Sequence, residues 1–275
     1  APRRCSWPTT TSCPRVTRVD YTVIGGGGGA RSSADGRFNG GAGAKVTGTL
    51  AVTPGTKLWL IVGAGGFNRD AYVTSLNSTV TNDGGGGFGN GGSSSLTLTY
   101  PNPAVGGPAG FLGASGGGGS AILLESDRTP IVVAGGGGGG GMTSTHKEID
   151  PEVTFNQMVV GGAGGVNAPD GSRTWAPPTG GTWTVASQGG RSGTSGGAGG
   201  QEAAGSHTTP AAVSYQATGG NGAAASTTGS NGGTSGYVDF PLTSASPNNL
   251  APGGASSGGG GGGYGGGGGG GVETA

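Results

Sequence analysis

Few residues in this chain could do chemistry, and their spacing narrows the options further. His146, Glu148, Asp150 and Glu152 alternate, so on an extended strand all four side chains would share one face. A hard cation such as calcium takes carboxylate oxygens, and Glu148, Asp150 and Glu152 are the one candidate set for it. The plainer alternative is a solvated loop edge with its like charges spread apart, and the expectation is no bound metal and no cofactor. His146 and His207 are the only imidazoles, and whether either meets a serine and an aspartate is a matter of geometry rather than spacing. Gly-x-Gly-x-x-Gly matches recur throughout, but a dinucleotide site needs them between a strand and a helix, and no helix is expected here. No Gly-Lys-Ser/Thr follows any glycine run, so a phosphate-cradling loop is absent as well. The chain is read as a non-enzyme.

Cys5 and Cys13 are the only cysteines. Their spacing is compatible with a small intrachain disulfide loop in an oxidising compartment, a local constraint of roughly 2–3 kcal/mol. Free or intermolecularly bridged thiols are the alternative. Asn77-Ser78-Thr79 is the single N-glycosylation sequon, in a polar loop. Trp7, Trp59, Trp175 and Trp183, with Tyr100, Tyr215, Tyr237 and Tyr264, are either a glycan-stacking or docking surface or the few large anchors of a side-chain-poor core. Trp59 is expected in the core. Trp175 precedes the loop Pro177-Pro178-Thr179-Gly180-Gly181 and is the candidate exposed aromatic contact. Tyr264 interrupts polyglycine, so it should cap or edge whatever the glycines build.

The elements that would hold these residues are short. Arg15–Ile24 is rich in β-branched and aromatic residues, with Val19, Tyr21 and Val23 on one face. Ala44–Thr53 alternates, Thr53-Pro54-Gly55-Thr56 carries type II turn chemistry, and Lys57–Val62 reads as the returning strand of a hairpin. Ser94–Tyr100, Ala121–Glu125, Pro130–Ala134, Val153–Val160, Thr182–Ala186, Ala211–Thr218 and Gly236–Leu242 are further strand candidates, with a turn at Ser126–Thr129. Glycine and proline interrupt everywhere and no helical period is sustained, so the fold class is all-β with almost no α-helix, read as a β-sandwich.

Glycine dominates everything between the strands. Of 275 residues 73 are glycine, concentrated in runs such as Gly25–Gly29, Gly135–Gly141, Gly258–Gly263 and Gly265–Gly271. Collagen requires glycine at every third position and proline between, which consecutive runs do not offer. A flexible linker fits the composition. The expectation taken is a third arrangement, a bundle of polyproline-II-type glycine helices, because several runs of similar length can stack into a slab. Such a helix makes no internal hydrogen bonds, so its amides must pair with neighbours. Lacking Cβ atoms, glycine rods can approach closely enough to do so. Gly135–Gly141 and Gly265–Gly271, equal in length, should share one bundle.

The order of blocks is distinctive. A strand enters polyglycine at Tyr21–Gly29, and a second ends in Leu60-Ile61-Val62-Gly63-Ala64-Gly65-Gly66. Then Gly116-Gly117-Gly118-Gly119-Ser120-Ala121-Ile122 leads to Pro130-Ile131-Val132-Val133-Ala134 and seven glycines. Over residues 19–272 this resembles the glycine-rich domain of the anaplastic lymphoma kinase and leukocyte tyrosine kinase receptors, found also in secreted bacterial proteins and at phage tail-fibre tips. The resemblance implies a tumour-necrosis-factor-like β-sandwich joined to a bundle of glycine helices. The chain shows neither the receptors' cysteine-rich growth-factor-like segment nor a kinase.

Net charge is zero and only 9% of residues are charged, which leaves no electrostatic footprint for nucleic acid or an anionic membrane. Hydrophobic residues reach 31%, well under the usual proportion, so no large conventional core is expected. No apolar stretch is long enough for a membrane span. The chain opens without a hydrophobic signal region, which fits a mature form or a fragment. Residues 1–18 read as an extended arm and 19–275 as a single glycine-rich domain. The expected function is an extracellular structural protein that assembles with copies of itself into a filament or surface fibre. Val16, Val19, Tyr21 and Val23 are the expected assembly residues, because a strand can add to a neighbour's sheet edge. The same strand completing its own sheet is the alternative. The rival function is an adhesin or receptor-binding module recognising a glycan or a surface protein.

Overall fold

The computed structural model describes residues 16–30, 40–67, 72–73, 76–99, 110–141, 143–144, 161–165, 168, 171–175, 183–187, 201–202, 215–217, 220–224, 226, 228–239, 254–256, 258–269 and 272–274. Among them every regular element is a strand. The first nine are β1 (Arg18–Ile24), β2 (Lys45–Ala51), β3 (Leu58–Ile61), β4 (Tyr72–Val73), β5 (Thr79–Asn82), β6 (Ser94–Thr97), β7 (Gly110–Phe111), β8 (Ser120–Leu124) and β9 (Pro130–Ala134). The rest are β10 (Thr143–Ser144), β11 (Gly171–Trp175), β12 (Trp183–Ser187), β13 (Gln201–Glu202), β14 (Tyr215–Ala217), β15 (Tyr237–Asp239), β16 (Gly254–Ser256) and β17 (Val272–Thr274). They form small sheets: β1-β2, β5-β6, β3-β8-β9, β11-β12-β13, β10-β17-β14 and β15-β16-β7-β4. All pairings are antiparallel except β10 with β17 and β16 with β7.

Two sheets carry most of the side-chain core. β1 lies against β8 and β9, and β2 against β9. Val23 and Ala44 meet Ile122, Val132 and Ala134 there, with Tyr21, Val46, Leu58 and Ile131 packed around them. The opposite face of β8 buries Ala121 and Leu123 against Phe88, helped by Ile61 and Val133. β8 is thus covered on both faces, which explains why its sequence is an apolar run rather than an alternation. A third cluster, Leu96, Leu98 and Leu112, sits behind β6.

The turn at Thr53–Thr56 forms as expected: Gly55 has φ 93° and the Thr56 N–H donates to the Thr53 carbonyl at 3.0 Å. The hairpin does not. β2 pairs with β1 and β3 pairs with β8, so the strands on either side of the turn belong to different sheets. The reason lies in the turn itself, because type II geometry splays flanking strands whereas the primed turns match their twist. The β8–β9 hairpin does form around Ser126–Thr129. There the Asp127 carboxylate accepts the Thr129 N–H at 3.0 Å and Arg128 adopts φ 60°.

Hydrogen bonding along the glycine runs repeats every third residue. In Gly135–Gly141 the N–H groups of Gly136 and Gly139 donate to Gly262 and Gly259. Those of Gly137 and Gly140 donate to Gly26 and Gly29, and that of Gly138 to Gly162. The carbonyls keep the same period. Gly135 and Gly138 accept from Ala44 and Gly41, Gly137 and Gly140 from Gly117 and Ala114, and Gly136 from Gly267. One run therefore binds six others, and its equal-length partner, beginning at Gly265, lies beside it. Segment 114–119 repeats the pattern, with Gly116 and Gly119 donating to Gly92 and Gly89, and Ser115 and Gly118 to Phe67 and Ala64. A Cβ on Gly136, Gly137, Gly138 or Gly139 would run into a carbonyl of Gly117, Gly41, Gly268 or Ala114 respectively. Tyr264 is half-buried between Gly263 (φ 95°) and Gly265 (φ 65°), where the chain reverses so that the Gly261 N–H reaches the Gly267 carbonyl.

Candidate functional site

The candidate surface is the outer edge of β1. Two bonds bracket the β1–β2 ladder: Val52 N–H to the Thr17 carbonyl and Gly25 N–H to the Ala44 carbonyl, both 2.9 Å. Alternation in an antiparallel pair then gives Val19, Tyr21 and Val23 to the ladder and turns the main-chain groups of Arg18, Asp20 and Thr22 outward. Among the described residues no further strand pairs with that edge. Arg18 and Asp20 share the solvent face, with Arg18 Nε 3.8 Å from Asp20 Oδ1 and side chains 72% and 82% exposed. Thr49 of β2 joins them. Its hydroxyl accepts from Arg18 Nη2 at 3.2 Å and donates to Asp20 Oδ1 at 2.6 Å.

At the glycine end this edge is anchored. The Ser120 hydroxyl donates to the Ile24 carbonyl at 2.6 Å and accepts the Gly63 N–H at 2.8 Å. It thereby joins the end of β1 to the chain leaving β3. Away from this anchor β1 lies over β8 and β9, and the face of β3 that carries Leu60 is exposed toward its end. Leu58 still packs on the first core cluster, whereas Leu60 is 66% and Val62 82% exposed.

The expected assembly residues divide. Val16 is exposed at 37%, Val19 and Tyr21 are half-buried, and Val23 is committed to the core at 8%. Asn77 lies in an exposed turn with φ 56°, a conformation asparagine tolerates, and its N–H donates to the Leu98 carbonyl at 2.7 Å. Trp175 is the last residue of β11, opposite Trp183 in the ladder. Cys5, Cys13, His146, Glu148, Asp150 and Glu152 lie outside the described residues, as does the strand candidate Val153–Val160. Among the described residues no cluster of His, Cys, Asp or Glu could hold a metal ion.

Trp59, expected in the core, is 45% exposed, and the Arg128 guanidinium stacks on its ring at 3.6 Å. The splayed turn is the cause: it makes β3 an edge strand whose second face is only partly covered. Arg128 could not be picked out from sequence, since its stacking follows from the β3–β8–β9 order. Asp127, beside it, is held below the ordinary carboxylate range chiefly by the Thr129 backbone N–H.

No family model, no curated protein and no solved structure matches the chain. No helix among the described residues is long and apolar enough to cross a membrane.

Proposed function

We propose that this protein is a non-enzymatic, extracellular structural subunit that assembles with copies of itself into a filament or surface fibre. The observation that carries the proposal is the mutual hydrogen bonding of the glycine runs, in which backbone alone builds a body of low charge. In this reading the runs are polyproline-II-type helices. The three-residue period of their donors and acceptors supports it, since that helix has three residues per turn and must bond outward. β1-β2 over β3-β8-β9 is read as the two layers of a β-sandwich of the tumour-necrosis-factor-like type, on the strength of the core they share. The likeness to the receptor-type glycine-rich domain belongs to the same proposal. Assembly is assigned to residues 1–24, with the open edge of β1 as its support.

Electron microscopy of the native material in negative stain tests the proposal. Long fibres are expected, and deletion of residues 1–18 should abolish them while leaving a soluble, folded body. Fibres that form normally without residues 1–18 would remove the arm as connector. A second reading, an adhesin that docks a glycan or surface protein, is favoured by the exposed rings of Trp59, Phe67 and Tyr237. Isolated particles or tail tips in the same micrographs would select it.

A further inference from the structure

We propose that β1 pairs with β1 of a second copy about a two-fold axis, in one defined register, to make a continuous β2-β1-β1-β2 sheet. The inference rests on the reading that copies assemble through this strand and names the partner surface. A two-fold pair closes on itself, so it defines a dimeric building block that a fibre must extend through a second contact. The outward main-chain groups of Arg18, Asp20 and Thr22 offer donors and acceptors to an added antiparallel strand. Such an edge is a template for pairing unless something blunts it.

Charge decides which copy and which register. The edge carries one cation and one anion, Arg18 and Asp20, two residues apart on the same exposed face. In a two-fold pair with Val19 opposite Val19 of the second copy, each Arg18 faces the other copy's Asp20. The four charges then alternate in sign across the axis. The same register sets Val16 opposite Thr22 and Thr17 opposite Tyr21, which are β-branched and aromatic cross-strand pairs of the favourable kind. Shifting by one pair places Asp20 against Asp20, a like-charge contact. The outer edge of β2 does not offer this complementarity, because Lys45 is its one charge and no carboxylate accompanies it. Because β2 lies over β9 and β1 over β8 and β9, a strand added beyond β1 continues toward β3, whose Leu60 and following Val62 are exposed. A second copy thus meets both the polar edge and the open apolar face.

The test is a charge exchange in the full chain. R18D makes both positions acidic and D20R makes both basic. Each alone should weaken dimerisation by roughly tenfold or more in sedimentation equilibrium at low salt. The double variant R18D/D20R should dimerise like the parent. An equimolar mixture of the two single variants should form a heterodimer, visible by native mass spectrometry. That last result requires both variants to be folded, so unfolding cannot imitate it. A parent chain that stays monomeric at all concentrations overturns the pairing, as do single variants that dimerise undiminished or a mixture that yields no heterodimer. Fibres unaffected by either single variant would overturn this interface and leave the filament reading standing. Parent dimers without fibres would support the interface and remove the filament.

Discussion

At the scale of single residues, glycine has two distinct roles here, and substitution separates them. Gly138 lies where a Cβ would collide with the backbone of Gly268, and neither main chain can move without breaking its own bonds. Gly65 sits on the surface, with the nearest obstacle, the Gly27 carbonyl oxygen, 3.5 Å from the position a Cβ would take. Gly138→Ala should therefore destabilise the fold by about 1–3 kcal/mol through overpacking. Gly65→Ala should be neutral or stabilising by up to about 1 kcal/mol, because it restricts only the unfolded chain. Denaturant unfolding of both variants checks the contrast, and equal losses would mean that steric exclusion does not govern these runs. Composition reveals that glycine matters. It does not distinguish Gly138 from Gly65, because the distinction depends on which segment lies alongside.

At the scale of elements, the turn at Pro54-Gly55 was legible to the residue, and its consequence was not. Open space surrounds a Cβ at Gly55, yet its φ of 93° is one that side chains resist. Gly55→Val should thus cost about 1–3 kcal/mol from backbone conformation alone. Gly55→Asn should recover much of that, since asparagine tolerates positive φ. Thermal unfolding of the pair measures it; a Gly55→Val protein as stable as the parent would contradict the turn geometry. The longer strands β1, β2, β8 and β9 were readable from alternation or from β-branched runs bounded by turn residues. β4, β7, β10 and β13 are two residues long. No periodicity exists over two residues, so such strands arise only because a partner edge is nearby.

At the scale of the whole molecule, stability rests on backbone hydrogen bonds that connect distant parts of the chain. The amides of Gly136 to Gly140 donate without a gap to five different carbonyls, on segments 25–29, 161–165 and 258–263. None can open without disturbing several segments together. Their hydrogen exchange should be slow and should share one opening free energy, close to that of global unfolding. The N–H groups of Gly27, Gly65 and Gly86 donate to no described group, and should exchange orders of magnitude faster although they too lie in glycine-rich segments. Uniformly fast exchange through Gly136–Gly140 would show that the runs are not held as one cooperative unit.

The amino-acid sequence by itself determined the all-β class, because glycine and proline at this density forbid sustained helices while β-branched runs survive between them. It also determined that the glycine runs need neighbours, since a backbone without internal hydrogen bonds must find partners outside itself. It placed Val19, Tyr21 and Val23 on one face through their alternation, and that face meets the core. Tertiary structure alone decided which segment each run touches, which sheet receives each strand, and why, among the described residues, no strand pairs with the β1 edge that carries Arg18 and Asp20. A glycine has no side chain to encode a preference for one partner over another. The choice among near-identical neighbours is made by the strands and turns that deliver each run to its place.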